Sequence, residues 1–207
     1  VAYSSVNHMG YVLLGMAAVI AASGMNGNNL ISAQAGLNGA VFQMFNHGTI
    51  SAMLFILVGV IYDRAHHRDI EGFGGLASQM PIYTGLVALA FFAGLGLPGF
   101  SGFVSEFMIL IGAFPVFKTI VIISTIGILL NAAYFLWAFQ RMFFGPANEK
   151  YKDLPEINKR ELFTVVPLAV ITLFLGIYPR PFLDMISATM NVLIEQVVSL
   201  GGLAGVM

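Results

Sequence analysis

Apolar residues run through this chain in long stretches broken at only a few points, without the one-sided rhythm of a helix in a soluble bundle. A helix crosses a bilayer with about 20 mostly apolar residues, within a range of about 17 to 25. Six stretches fit that rule: residues 3–23, 37–62, 81–97, 101–117, 119–143 and 162–178. The first carries Ser4, Ser5, Asn7 and His8 at its start, and the second, long enough to tilt, carries Asn46 and His47 near its centre. The third and fourth are separated only by Leu97-Pro98-Gly99-Phe100-Ser101-Gly102. Such Gly/Pro punctuation inside an apolar run predicts a tight re-entry or a broken helix. Past Pro181 the rhythm changes: Phe182, Ile186, Met190, Leu193 and Val197 recur at helical spacing, opposite Asp184, Ser187, Asn191 and Glu195. This predicts an amphipathic helix lying along the interface or on a neighbouring subunit, or else simply packed as a C-terminal helix. The organisation expected is a transmembrane helical domain over 1–178, followed by an amphipathic helix and tail over 179–207.

Composition agrees. Of 207 residues, 58% are hydrophobic and 9% charged, where a soluble chain carries about 25% charged. Nineteen charged side chains do not cover a water-soluble surface of this size, so lipid is the expected solvent and a soluble enzyme is excluded. A net charge of −1 offers no basic footprint, which argues against nucleic acid as a partner. The absence of cysteine removes disulfides, thiolate-held iron–sulfur clusters and cysteine zinc sites. The opening Val1-Ala2-Tyr3-Ser4-Ser5 shows neither the basic region nor the cleavage site of a secretory signal, and a leading Val is expected of a processed chain or a fragment.

The charges are unevenly placed. Residues 1–62 hold none; five fall between Asp63 and Glu71 and eight between Glu149 and Glu161, 13 of the 19 in all. These clusters read as aqueous loops. With six crossings they fall on opposite sides: Arg64, Arg68, Lys118 and Arg180 on one, Arg141, Lys150, Lys152, Lys159 and Arg160 on the other. The excess of one favours the second side as cytoplasmic.

Glu106 stands apart, the one charge between Glu71 and Lys118. A charge near the bilayer centre costs about 2.5–3.5 kcal/mol on insertion scales, so this carboxyl is protonated, paired, or facing water inside the protein. A group so balanced takes up and releases protons as its surroundings change; the plainer alternative is a protonated Glu bonded to a neighbouring helix. His47, mid-segment, and His8 are the relay candidates, His47 the stronger, because imidazole titrates near neutrality through two nitrogens. An interhelical hydrogen bond is the alternative for each. Lys118 follows Pro115; on a discontinuous helix it lies near the membrane centre beside a half-helix C-terminus, and otherwise it snorkels at a span boundary. His66 and His67 are adjacent in a charged loop and do not have the spacing of a helical metal pair. Gly94-Leu95-Gly96-Leu97-Pro98-Gly99 satisfies G-x-G-x-x-G on paper, but it ends an apolar run and contains Pro, so it reads as a helix break instead of a dinucleotide site.

Taken together, Ser4-Ser5-Val6-Asn7-His8-Met9-Gly10-Tyr11, Asn46-His47-Gly48, Leu54-Phe55-Ile56-Leu57-Val58-Gly59, Tyr62-Asp63-Arg64, Gly74-Gly75-Leu76, Gly96-Leu97-Pro98-Gly99-Phe100-Ser101-Gly102-Phe103 and Gly176-Ile177-Tyr178-Pro179 follow one order. The chain resembles the antiporter-like membrane subunits of respiratory complex I, relatives of Mrp-type cation/proton antiporters and membrane-bound hydrogenase subunits. The resemblance covers residues 1 to about 184. Most of that family carries Lys where Glu106 stands, whereas its M-type, or mitochondrial chain 4-type, subunits carry Glu. The resemblance implies an all-α polytopic membrane fold of about six transmembrane helices, one broken, corresponding to the second of two inverted repeats plus the last helix. It implies that Glu106 is the proton-channel carboxyl on the broken helix and that His47 lines the channel. The family's first repeat, with its Glu and Lys pair, and the Lys usually found shortly before Tyr-Ser-Ser-Val are not in this sequence.

The function so implied is proton translocation by a membrane-arm subunit of a bacterial NADH–quinone oxidoreductase, in the inner membrane. Glu106 would gain and lose the proton, with His47 and Lys118 relaying. The partners implied are the other membrane-arm subunits, the lipid bilayer and protons. No residue identifies a nicotinamide, flavin, quinone or iron–sulfur site, and no cofactor is expected. The alternatives are a subunit of a Mrp-type antiporter or membrane-bound hydrogenase, and a structural half-subunit that does not pump.

Overall fold

The computed structural model describes residues 2–23, 27–151 and 153–204, and all regular structure among them is helical. Lys152 and the end of the tail, 205–207, lie outside the described residues. Among the described residues eight α-helices follow in order: α1 Ala2–Ala22, α2 Gly27–Ala65, α3 Leu76–Gln79, α4 Pro81–Gly94, α5 Ser101–Ala113, α6 Lys118–Phe143, α7 Lys159–Ile177 and α8 Arg180–Ala204. Four of them, α1, α2, α6 and α7, are long and apolar enough to cross a membrane. All six apolar stretches of the sequence are helical, and two of them share a single crossing. Helices α4 and α5 have 14 and 13 residues, each short of a span. They do not pack side by side, and both run antiparallel to α2, one after the other.

The remaining helices are arranged around α2. At 39 residues and 1.5 Å per residue it is about 58 Å long, roughly twice the hydrocarbon thickness. It begins ten residues before the apolar run that marks it in the sequence. Asn28, Asn29, Ser32 and Gln34 interrupt the hydropathy but not the helix, because small residues there let other helices come close. A Cβ on Gly15 would lie 2.7 Å from Gly36 O, one on Gly39 2.7 Å from Met108 Cβ, and one on Gly112 would fall on the Gly36 backbone and 2.7 Å from Ser32 O. Lipid supplies little hydrophobic force between helices, so close backbone contact at small residues holds them together. The contact of Gly36 and Gly39 with α5 sets the height of α5 against α2.

At the far end of α2 the two charged clusters meet, contrary to the opposite-side placement expected from six crossings. Since α4 and α5 make one crossing between them, α6 returns the chain to the end where α2 finished. Arg64 Nη1 and Nη2 donate to Glu161 Oε1 and Oε2 at 3.0 and 2.8 Å, and its remaining donors reach the carbonyls of Val60, Pro155 and Glu156. Glu161 also closes a capping box with Asn158 that starts α7. The Glu156 carboxylate accepts from the Ile82 and Tyr83 amides at 2.9 and 3.1 Å, capping α4 behind Pro81. His67 stacks on Phe73, with ring centroids 4.4 Å apart, and lies 2.5 Å from the Tyr151 hydroxyl. Lys118, which starts α6, stands towards the opposite end, and Arg180 starts α8 beside the middle of α2.

The amphipathic helix packs on its own chain. In α8, Phe182 meets Phe42 and Phe45 with ring centroids 5.0 and 4.7 Å away, Asn191 bonds Gln34, and Ile194 is buried in a cluster with Ala18, Val19 and Ala22. The inward stripe runs through the half-buried Phe182, Ile186 and Met190 to the buried Ile194, and Leu193 is exposed. The spacing of four holds as far as Ile194, where the sequence pattern placed Leu193 on this face, and Val197 packs on the same cluster as the pattern placed it. Where α7 ends, a Cβ on Gly176 would strike Gly99 and Phe100, so α7 abuts the break between α4 and α5.

Gly112→Leu is expected to push α5 off α2 at a cost of about 1–3 kcal/mol; thermal unfolding in detergent checks this, with Gly10→Leu, where a Cβ meets nothing within 4 Å, as the near-neutral control.

Candidate functional site

The break between α4 and α5 is made by backbone that most residues avoid. Gly96 (φ 77°) and Gly99 (φ 101°) both lie in left-handed territory, with Pro98 between them, so the G-x-G-x-x-G match is a helix break, as read from the sequence. The break ends α4 at Gly94, whose carbonyl accepts from Asn131 Nδ2 at 2.8 Å. A half-helix end inside a bundle needs such a partner, because no lipid group supplies one.

Glu106 sits one turn into α5 and folds back towards the break. Its Oε2 lies 2.8 Å from where a Cβ on Gly96 would be, so only glycine leaves room for the carboxyl. It is 4% exposed and is the one Asp, Glu, Lys or Arg buried among the described residues. Its partner is His8 of α1, itself 6% exposed, with Nδ1 3.0 Å from Glu106 Oε1. The same Nδ1 lies 3.0 Å from Gln43 Nε2 of α2. Ser105 donates to Gln43 Oε1, and Asn46 Nδ2 donates to Ser105 Oγ and the Ser101 carbonyl, each at 2.9 Å. Gln43, Asn46, Ser101 and Ser105 are all buried. Three helices thus contribute polar side chains to one cluster at mid-bundle.

His47 stands beside it, half-buried, its ring centroid 5.3 Å from that of His8 and its Nε2 3.2 Å from Ser51 Oγ. Ser4, His8, Gln43, His47, Ser51 and Gly102 help to line a cavity of about 10 Å³, about the size that holds one water. Tyr11, one turn from His8, donates to the Ser124 carbonyl of α6 at 2.8 Å. The structure therefore brings Glu106 and His47 together through His8. Lys118 is elsewhere: it is the first residue of α6, exposed, its Nζ 5.9 Å from the Phe114 ring. Helix α5 has already ended at Ala113, and the turn 114–117 carries the chain away from the cluster.

The sequence ranked His8 behind His47, marked Asn46 without giving it a role, and did not single out Gln43 or Ser105. A signal was present: polar residues spaced three or four apart on apolar helices, as in Ser4, His8 and Tyr11, in Gln43, Asn46 and His47, and in Ser101 and Ser105, share a face and turn inward from lipid. The sequence did not show that the three faces converge.

An all-helical membrane bundle in which one crossing is broken into two short helices, with a buried His–carboxyl pair at the break, defines a class of polytopic membrane protein folds. The chain belongs to the NADH:quinone oxidoreductase/Mrp antiporter transmembrane family, whose profile matches residues 1–131. It is 42% identical over 197 residues to NADH-quinone oxidoreductase subunit M of Rhodobacter capsulatus, covering 95% of this chain and 36% of that one. It is 37% identical over 201 residues to F(420)H(2) dehydrogenase subunit M of Methanosarcina mazei, covering 97% and 38%. In structure it matches a chain of respiratory complex I from Thermus thermophilus with bound NADH at a TM-score of 0.75 and 28% identity, covering 96% of this chain and 38% of that one. The chain spans little more than a third of the length of these relatives. The M-type resemblance is borne out by the match to subunit M of Rhodobacter capsulatus.

Gly96→Ala is expected to lose more stability than Gly99→Ala. Both meet a left-handed backbone cost of roughly 1–2 kcal/mol, but only the first adds a methyl against the Glu106 carboxyl, whereas a Cβ on Gly99 meets nothing within 4 Å. Thermal melts of the two variants in detergent compare them directly.

Proposed function

We propose that this chain is a proton-translocating part of an M-type membrane-arm subunit of a bacterial NADH–quinone oxidoreductase, working in the inner membrane against other membrane-arm subunits. It holds the second repeat of the antiporter-like fold and the last helix over residues 1–178, with α8 as an appended amphipathic helix. The observation that carries the reading is the 3.0 Å contact between His8 and Glu106, buried at a helix break.

Proton transfer follows from that geometry. A proton moves directly between Glu106 Oε1 and His8 Nδ1, and onward to His47 through one water in the cavity between the two rings. Either end state is accessible: the ionised pair is held by its own attraction, and the neutral pair avoids burying charge. At an effective dielectric of about 20, a unit charge about 4 Å from one member of the pair acts on that member by on the order of 4 kcal/mol, and the opposite effect on the more distant partner cancels part of this, leaving enough to move the equilibrium by about a power of ten. Redox energy released elsewhere in the complex needs only to change a charge near this cluster to drive the proton on. Asn46 Oδ1 and the Ser101 hydroxyl, buried with no partner among the described residues, give water further places to bind along α5. Lys118 serves from outside the cluster, where the path reaches the end of the bundle. The likeness to the F(420)H(2) dehydrogenase subunit supports a second reading, in which the same proton-moving unit serves a different electron donor.

Glu106→Gln keeps the shape and removes the titration. In inverted membrane vesicles of the native host, with assembly of the complex confirmed, it is expected to slow NADH oxidation and abolish most of the proton gradient, while Lys118→Ala has a milder effect. Normal oxidation with a normal gradient in Glu106→Gln would make the carboxyl structural and favour a half-subunit that does not pump.

A further inference from the structure

Gln43 has a part in this cluster that proton transfer between His8 and Glu106 does not by itself require. His8 Nδ1 lies 3.0 Å from Glu106 Oε1 and 3.0 Å from Gln43 Nε2. One imidazole nitrogen carries either a hydrogen or a lone pair, never both. With a lone pair, Nδ1 accepts from the Gln43 amide, and the protonated Glu106 competes for the same site. With a hydrogen, Nδ1 donates to the Glu106 carboxylate and confronts the Gln43 N–H donor to donor. That second state is satisfied only if the amide turns over, presenting Oε1 to His8 and Nε2 to Ser105.

Ser105 is placed to follow. Its hydroxyl donates to Gln43 Oε1, and the Ser101 and Gly102 carbonyls stand at 3.2 and 3.0 Å as alternative acceptors. A hydroxyl has one hydrogen. When the amide turns, that hydrogen swings to a backbone carbonyl, and the two lone pairs of Oγ accept from Gln43 Nε2 and from Asn46 Nδ2, already 2.9 Å away. In both arrangements the Gln43 amide matches the state of Nδ1, donating to the bare nitrogen and presenting an acceptor to the protonated one, and its other end stays paired with Ser105.

We infer that Gln43 is a positioning residue whose amide turns with the proton on His8, keeping both protonation states of the His8–Glu106 pair hydrogen-bonded and passing the change to Ser105 at the start of α5. This rests on the proton-translocation reading above. Without it, one of the two states leaves a buried donor unsatisfied, and the proton dwells on one side. The titratable groups facing the pair are His47 from α2, Tyr11 on α1 and Tyr134 from α6; among the described residues no other carboxylate or cation is buried beside it.

The test uses the assembled complex in inverted vesicles of the native host, with Glu106→Gln run in parallel. Gln43→Met keeps the volume without the amide and is expected to lower proton-coupled turnover about tenfold and to shift its pH profile. Ser105→Ala is expected to do less alone and to add nothing to Gln43→Met, because both cut the same relay. Gln43→Glu, nearly isosteric, offers both a donor and an acceptor only while protonated, so its turnover should recover towards acidic pH. Wild-type rates and pH profiles in both Gln43 variants overturn the inference while a defective Glu106→Gln leaves the function standing. Additive losses with an unmoved pH profile also overturn it, because they show packing alone. A silent Glu106→Gln removes the function and this inference with it.

Discussion

A carboxyl group enclosed by apolar helices has few stable arrangements, and the structure is organised around one of them. Glu106 bonds His8 on one side and, on the other, fills the space that a Cβ on Gly96 would need. Bringing a histidine from α1 to a carboxyl on α5 requires both helices to lie close against α2. The glycines Gly15, Gly36, Gly39 and Gly112 remove the side chains that would hold them apart. The same requirement explains the break: a continuous helix through 95–100 would put side chains where the carboxyl lies.

The packing is correspondingly uneven. Helices α1, α2 and α5 meet through small residues around the cluster, whereas α6 exposes Ile123, Ile126, Leu129 and Leu130 and buries few residues, as a helix facing lipid or another subunit does. At the charged end Arg64 satisfies all its donors on one carboxylate and three carbonyls. Glu156 and Glu161 start α4 and α7 from the same loop. This polar knot fixes where α4 begins, and the length of α4 then sets the depth of the break. The end of the molecule thus determines the position of a site about 21 Å away, the length of 14 helical residues.

Chemically the cluster is poised instead of settled. His8 Nδ1 faces a donor and an acceptor at equal distance, the His47 ring lies 5.3 Å from that of His8, and the Ser105 hydroxyl has more acceptors than hydrogens. Such redundancy is costly in a static core, where each buried polar group wants one good partner. It suits a site that must be hydrogen-bonded in more than one protonation state.

What the sequence determined by itself was the class of fold and the identity of its exceptional residue. Both rest on the energy of moving groups into lipid, which acts on each residue separately and so leaves its mark in linear order: the apolar runs, the Leu97-Pro98-Gly99 break and the solitary Glu106 were all legible. Tertiary structure alone decided the relations between segments. That α4 and α5 are halves of one crossing, which puts both charged loops at one end, depends on how the helices stack. That His8 outranks His47 as the partner of Glu106, that Gln43 and Ser105 join them, and that Lys118 does not, depends on which helix faces meet across α2. That α8 lies on α1 and α2, turning Ile194 inward instead of Leu193, depends on the surface waiting for it. Hydropathy records how deep a residue prefers to lie, while the neighbour it meets there is set by side-chain size and hydrogen bonding across helices, which no single segment encodes.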